Sequence, residues 1–171
     1  MKRNPKPTRF RRALAACAVF ALSACGGDGG GGRRAPGFSL PDLNGRTVTL
    51  SSRAGRAVLV NFWAPWCDSC KEELPALVEI HRRHGGKDFE ILAVDVDEDA
   101  ALKAPAFVAA HKIPFAVLCA DRKTLDAYAV RGLPASFLID PHGTIVRRYL
   151  GPLDARKLEN DILTALNRRP S

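Results

Sequence analysis

The chain has 171 residues, a formal charge of +8 and 46% hydrophobic residues, enough for one compact domain with appendages. Six basic residues (Lys2, Arg3, Lys6, Arg9, Arg11 and Arg12) fall in the first 24 positions, which hold no acid, leaving 20 basic against 18 acidic residues elsewhere. The basicity is therefore an N-terminal address, and a nucleic-acid-binding function loses its main support.

In chain order, the basic stretch precedes an apolar run from Ala13 to Leu22. At about ten residues this run is half of the roughly 20 needed to span a bilayer, and it reads as a secretory signal. It ends in Leu22-Ser23-Ala24-Cys25, and Gly26 to Arg34 (GGDGGGGRR) reads as a Gly-rich tether. Leu-Ser-Ala-Cys resembles the lipobox of bacterial lipoproteins, whose signal is removed before the cysteine while that cysteine is acylated. The resemblance divides the chain into a signal peptide at 1–24, a tether at 25–34 beginning at lipidated Cys25, and a folded domain at 35–171. The acyl chains would hold the protein in a lipid bilayer, facing the periplasm or the cell exterior; each buried methylene contributes about 0.8 kcal/mol.

Patterned sequence starts near Ala35. Phe38 to Leu40 and Thr47 to Leu50 read as short strands around Asn44-Gly45, a hairpin signal. Ala57 to Trp63 is a continuous apolar run interrupted only by Asn61, as expected of a central strand covered on both faces. A helix is expected from Cys67 to about His84, closed by Gly85-Gly86, and Phe89 to Val96 is the next strand. The following helical stretch, about Asp99 to His111, contains Pro105, where its regular part is expected to begin. Phe115 to Cys119 reads as a strand, Thr124 to Tyr128 as a short helix, and Ser136 to Asp140 and Ile145 to Leu150 as two strands joined by a turn at 141–144. Asp154 caps a closing helix that runs to Asn167. Strands alternating with helices, then a terminal hairpin and helix, imply a one-domain α/β sandwich with a mixed sheet.

Cys67 and Cys70, three apart at the mouth of a helix, admit three readings: metal, staple or electron carrier. A structural zinc site needs four ligands, yet Cys119 stands alone and His81 and His84 lie turns away, where polar residues suit a helix C-terminus. No metal site is expected. As a staple, a loop of a few residues gives the smallest entropic stabilisation. Electron transfer fits the position. A free thiol, with pKa about 8.5, is mostly protonated near neutrality, and the unpaired N–H groups and dipole of a helix N-terminus stabilise the thiolate. Cys67 is thus the attacking thiol and Cys70, on the same helical face, the resolving one. Trp66 would limit solvent and help dock a partner. Cys119, inside the apolar FAVLCA, reads as a buried core thiol.

The stretch NFWAPWCDSCKEELP resembles the thioredoxin superfamily, and more narrowly its exported TlpA/ResA-like thiol–disulfide reductases. Pro75 matches the proline that kinks the first active-site helix, GLPASFLID (Gly132 to Asp140) resembles the cis-proline loop, and FSLPDLNGRTVTLS resembles the N-terminal hairpin of the TlpA-like branch. The resemblance covers about Ala35 to Leu166 and implies a thioredoxin-like three-layer sandwich with a mixed central sheet and an N-terminal β-hairpin extension. It implies a cis bond at Pro134 beside the active cysteines, with the Leu133 backbone pairing to substrate peptide. Where thioredoxin keeps a buried aspartate, this chain has Asn61, which cannot act as a base. Glu73, one turn beyond Cys70, matches a glutamate of the ResA-like branch and is the expected proton acceptor, while Glu72 is expected to be solvated. Between the cysteines lie Asp68 and Ser69; the acid should oppose thiolate formation and favour a reductant, and Ser69 could offset part of this by donating to the sulfur.

The expected activity is reduction of protein disulfides without an organic cofactor. A membrane electron donor would restore the dithiol, and the family's clients lie in cytochrome c maturation or copper-centre assembly. Two alternatives, a thiol peroxidase and a copper chaperone, fit less well. Peroxiredoxins place Thr and Pro where this chain has Ala64 and Val60. Copper chaperones of the SCO type use a Cys-x-x-x-Cys spacing and a distant histidine, whereas this spacing is one residue shorter and His142 sits in a turn.

Overall fold

The computed structural model describes Met1 and residues 32–168. The expected signal peptide, Cys17, Cys25 and most of the expected tether lie outside the described residues. Residues 33 and 34, expected to belong to the tether, are attached to the fold: Ile145 N donates to Arg33 O at 2.9 Å, and Arg34 forms an isolated bridge with Thr144.

A two-stranded antiparallel sheet, β1 (Ser39–Pro41) and β2 (Thr47–Thr49), comes first. Its turn is built on Asp42, whose Oδ1 accepts from Asn44 N and Arg46 N, both at 2.8 Å, with Gly45 at φ +77°. The remaining strands form one sheet in the order β5-β4-β3-β6-β7: β3 is Ala57–Trp63, β4 Phe89–Asp95, β5 Ala116–Cys119, β6 Ala135–Ile139 and β7 Ile145–Leu150. β3 pairs parallel with β4 and antiparallel with β6, so the sheet is mixed. Its central place explains why every residue of β3 is buried.

Side-chain alternation divides the core into two layers. Ala57, Leu59 and Trp63 face helices α1 (Asp68–His84), α2 (Ala100–His111) and α4 (Ala155–Leu166). Val58, Val60 and Phe62 face the other way, against Phe38, Leu40 and Tyr128, the last just beyond the short helix α3 (Arg122–Ala127). There Phe62 meets the Phe137 ring edge-on, with centroids 5.8 Å apart. Asn61 belongs to the α1 side of the sheet, a placement that matters below.

The observed α/β architecture is the expected one, with local differences. Helix α2 is continuous from Ala100 through Pro105 instead of starting at the proline. Pro105 and Ala101, the residue whose carbonyl loses its donor, are both exposed, so water can satisfy that carbonyl. A 3-10 turn at Ser51–Arg53 had no clear sequence signal. Helix α1 stops at Gly85, where any Cβ would lie 2.4 Å from His81 O; glycine is required there by close approach. Cys119 is half-buried, not fully buried, because it ends an edge strand.

Candidate active site

The site is assembled at the C-terminal end of β3. The backbone leaves Trp63, turns through Pro65, and starts α1 with Cys67 as its N-cap residue. Cys67 N donates to Ala64 O at 3.1 Å, and Lys71 N donates to Cys67 O at 3.2 Å, the start of the helical ladder. The Cys67 side chain caps the helix itself: its Sγ accepts from Cys70 N at 3.2 Å, with Ser69 Oγ at 3.5 Å. Such donors are the ones a helix start leaves unpaired, and they favour negative charge on sulfur. Cys67 and Cys70 are joined as a disulfide with Cα atoms 5.3 Å apart. Both are buried, at 7% and 5% exposure, whereas Trp66 is 62% exposed beside them.

The Leu133–Pro134 peptide bond is cis. Register explains its placement: Phe62 pairs with Ala135, which sets Pro134 beside the end of β3 that leads to Cys67. Pro134 is buried, and its carbonyl accepts from Gly151 N at 2.9 Å. Leu133 is half-buried and packs against both core layers.

Behind the disulfide, Glu73 is 5% exposed. Its Oε1 accepts from Asn61 Nδ2 at 2.9 Å and its Oε2 from Leu153 N at 3.0 Å; the same Asn61 amide donates to Ser136 Oγ at 2.9 Å. Burial pushes the Glu73 carboxyl above its ordinary value, and the Leu153 and Asn61 donors pull it part of the way back. A buried carboxyl with raised proton affinity on the face of α1 that carries Cys70 is suited to exchange a proton with a thiol. Glu72 is exposed, as expected.

Asp68 is paired on its own turn. It is exposed and its Oδ1 lies 2.7 Å from Lys71 Nζ, so a cation on the same turn opposes its influence on Cys67. That pair holds its carboxyl below the ordinary range. His84 Nε2 sits 2.6 Å from Glu159 Oε1, and the His81 ring packs on Phe115; both histidines tie α1 to its neighbours. Cys119 is raised above an ordinary thiol by burial and then by the nearby charges of Asp95 and Asp42, which keeps it protonated.

Sequence reasoning missed four residues of this region. Leu153 reaches Glu73 from 80 positions away, and Ser136 reaches Asn61 from 75, beyond any local signal. Asp97 carries the second surprise: its carboxylate accepts from Asp99 N at 2.9 Å and lies 3.1 Å from Lys103 Nζ. Asp95, wholly buried at the end of β4 in register with Trp63, is the fourth.

The chain is similar to known proteins. A ResA thiol-disulfide oxidoreductase from Bacillus subtilis is 38% identical over 123 residues, 71% of this chain and 68% of its own length. One from Bacillus anthracis is 37% identical over 75% of this chain and 74% of its own length. A solved structure from Chlorobium tepidum, assigned as the thiol:disulfide interchange protein DsbE, superposes with a TM-score of 0.73 at 36% identity, covering 80% of this chain and 97% of that one. Residues 32–148 match the model of the AhpC/TSA family. With its thioredoxin-like fold and its Cys67–Cys70 pair, the chain belongs to the AhpC/TSA family and is a thiol–disulfide oxidoreductase of the ResA/DsbE type.

Proposed function

We propose that the protein is an exported, lipid-anchored reductase of protein disulfides. The observation that carries the reading is the pairing of a helix-capping sulfur at Cys67 with a buried, amide-held carboxyl at Glu73. In the dithiol form, the Cys67 thiolate attacks one sulfur of a substrate disulfide, forming a mixed disulfide and releasing the other substrate sulfur as thiolate. Cys70 then loses its proton to the Glu73 carboxylate and attacks the Cys67 sulfur. The substrate leaves with both cysteines reduced, and the Cys67–Cys70 disulfide has taken up the oxidising equivalent. No organic cofactor enters the cycle. A membrane electron donor regenerates the dithiol with two electrons and two protons.

Trp66, exposed beside the disulfide, offers an apolar docking surface, and the Leu133 backbone before cis-Pro134 pairs with an extended substrate segment. Acylated Cys25 holds the domain at the bilayer, and its clients belong to cytochrome c maturation or copper-centre assembly. The reduction potential of the Cys67–Cys70 couple, measured by equilibration with dithiothreitol or glutathione buffers, tests the direction of transfer. A value near about −270 mV is expected of a reductant; one near about −120 mV would make it a disulfide-forming oxidant instead.

A further inference from the structure

A cavity of about 350 Å³ opens at the end of the sheet opposite the disulfide. Its floor includes Val58 and Ile139, partners in the β3–β6 register, and its walls come from Arg34, the 3-10 turn after β2 and the β6–β7 turn. Val58 and Trp63 are five strand residues apart, so the cavity lies about 17 Å from the redox edge.

Its charge is unbalanced. Arg34, Arg53 and Arg56 all line it. Glu90 serves two of them, with Oε2 at 2.7 Å from Arg53 Nε and 3.5 Å from Arg56 Nη1. The buried Arg53 Nε–H is not aimed at that oxygen, and it has no hydrogen-bond acceptor among the described residues. Arg34 Nη1 donates to a carbonyl, His142 O, at 3.4 Å, and Arg34 has no carboxylate partner among the described residues. Asp140 also lines the cavity, but its Oδ1 is committed to the turn, accepting from His142 N at 3.1 Å and Thr144 N at 3.0 Å. Leu50, Val58, Ile139 and Pro141 supply an apolar wall.

We infer that this cavity is a binding site for a phosphate ester. A carboxylate is satisfied by one guanidinium fork, whereas a phosphate presents oxygens to several; of the three arginines lining the cavity, Arg34 has no carboxylate partner among the described residues, and Arg53 and Arg56 share one Glu90 oxygen. The apolar wall takes the esterified group, and the volume suits a small ligand. The same chemistry is carried by soluble phosphate esters and by phospholipid headgroups. Arg34 follows Cys25 by nine residues, which reach at most about 30 Å when extended. On the anchoring proposed above, the cavity is thus held within reach of the bilayer; the anion site itself does not depend on acylation.

The test uses the full chain, labelled with ¹⁵N and held in a non-ionic maltoside detergent, with arginine Nε–H resonances as the readout. The probes are glycerol 3-phosphate and dihexanoyl-phosphatidylglycerol, titrated separately into wild type, Arg34→Gln and Arg56→Gln. The expected result is saturable shifts of the Arg34, Arg53 and Arg56 signals, with affinity about tenfold weaker in each variant, the loss expected from one charge-assisted pair. Tighter binding of the lipid assigns the site to headgroups, and equal or tighter binding of glycerol 3-phosphate assigns it to soluble esters. Absence of saturation with either probe overturns the site, as does unchanged affinity in both variants. Preserved disulfide reductase activity in Arg34→Gln and Arg56→Gln shows that the variants are folded, since neither residue belongs to the redox machinery.

Discussion

At Glu73 two opposing influences meet, and in the proposed mechanism their balance sets the second half of the exchange. Burial raises its proton affinity, while the Leu153 N–H and the Asn61 amide favour its ionised form. Replacing the carboxyl by an amide, Glu73→Gln, removes the acceptor for the Cys70 proton and leaves the Cys67 cap untouched. Attack on substrate should persist while release slows by roughly 10²-fold, the low end of what positioned proton transfer contributes. Acid-quenched single-turnover reactions, analysed by mass spectrometry, should then show an accumulating mixed disulfide at Cys67; wild-type release in this variant would remove Glu73 from the mechanism. Asn61→Ala tests the same environment from the other side. Loss of a donor that favours the charged form raises the Glu73 proton affinity further, so the pH profile of mixed-disulfide resolution should move to higher pH. An unmoved profile would mean that Asn61 only fills space.

The end of strand β4 carries a comparable balance in Asp95, whose carboxyl is fully buried and pushed up to about 6, first by burial and also by the neighbouring Asp97 charge. One of its oxygens accepts from Asp97 N at 2.9 Å, and Oδ2 has no partner among the described residues. A carboxyl whose proton affinity is higher in the fold than in the unfolded chain contributes stability that is complete below about pH 4. That stability is lost as pH rises through about 6 and amounts to roughly 3 kcal/mol. Asp95→Asn keeps the acceptor for Asp97 N and removes the titration. Urea unfolding should find the variant equal to wild type near pH 4 and more stable by about 1–3 kcal/mol at pH 8; parity at both pH values would refute the assignment. These elements also mark what the sequence made readable. The run Ala57 to Trp63, the Asn44-Gly45 turn and the Asp154 cap announce themselves by local chemistry, and β3, β7 and the cap fall where pattern places them. Pro105 misleads because solvent exposure of the helix face, not local propensity, decides its cost. Asp95, read only as part of an apolar strand, and Ser136 acquire their roles from pairing between distant strands, which no local pattern encodes.

Across the molecule, redox chemistry and stability are linked through the Cys67–Cys70 disulfide. Closing the four-residue loop from Cys67 to Cys70 restricts the unfolded chain by only roughly 2 kcal/mol. Opposing it, the helix N-terminus that accepts a thiolate at Cys67 stabilises the reduced fold, and the size of that opposing effect decides the couple's direction. In a strong oxidant the reduced protein is the more stable form; in a reductant the loop closure prevails. Here the capping sulfur has one backbone donor within reach, Cys70 N, and a neighbouring hydroxyl, while Lys71 is engaged by Asp68. That is modest support for a thiolate, so the oxidised chain should be the more stable one. Its melting temperature should exceed that of the dithiol form by a few degrees, up to roughly 6 °C for a domain of this size. Paired calorimetric scans with and without excess dithiothreitol read the sign directly. A dithiol form that melts higher would place the protein among disulfide-forming oxidants, and it would do so independently of any client or electron donor.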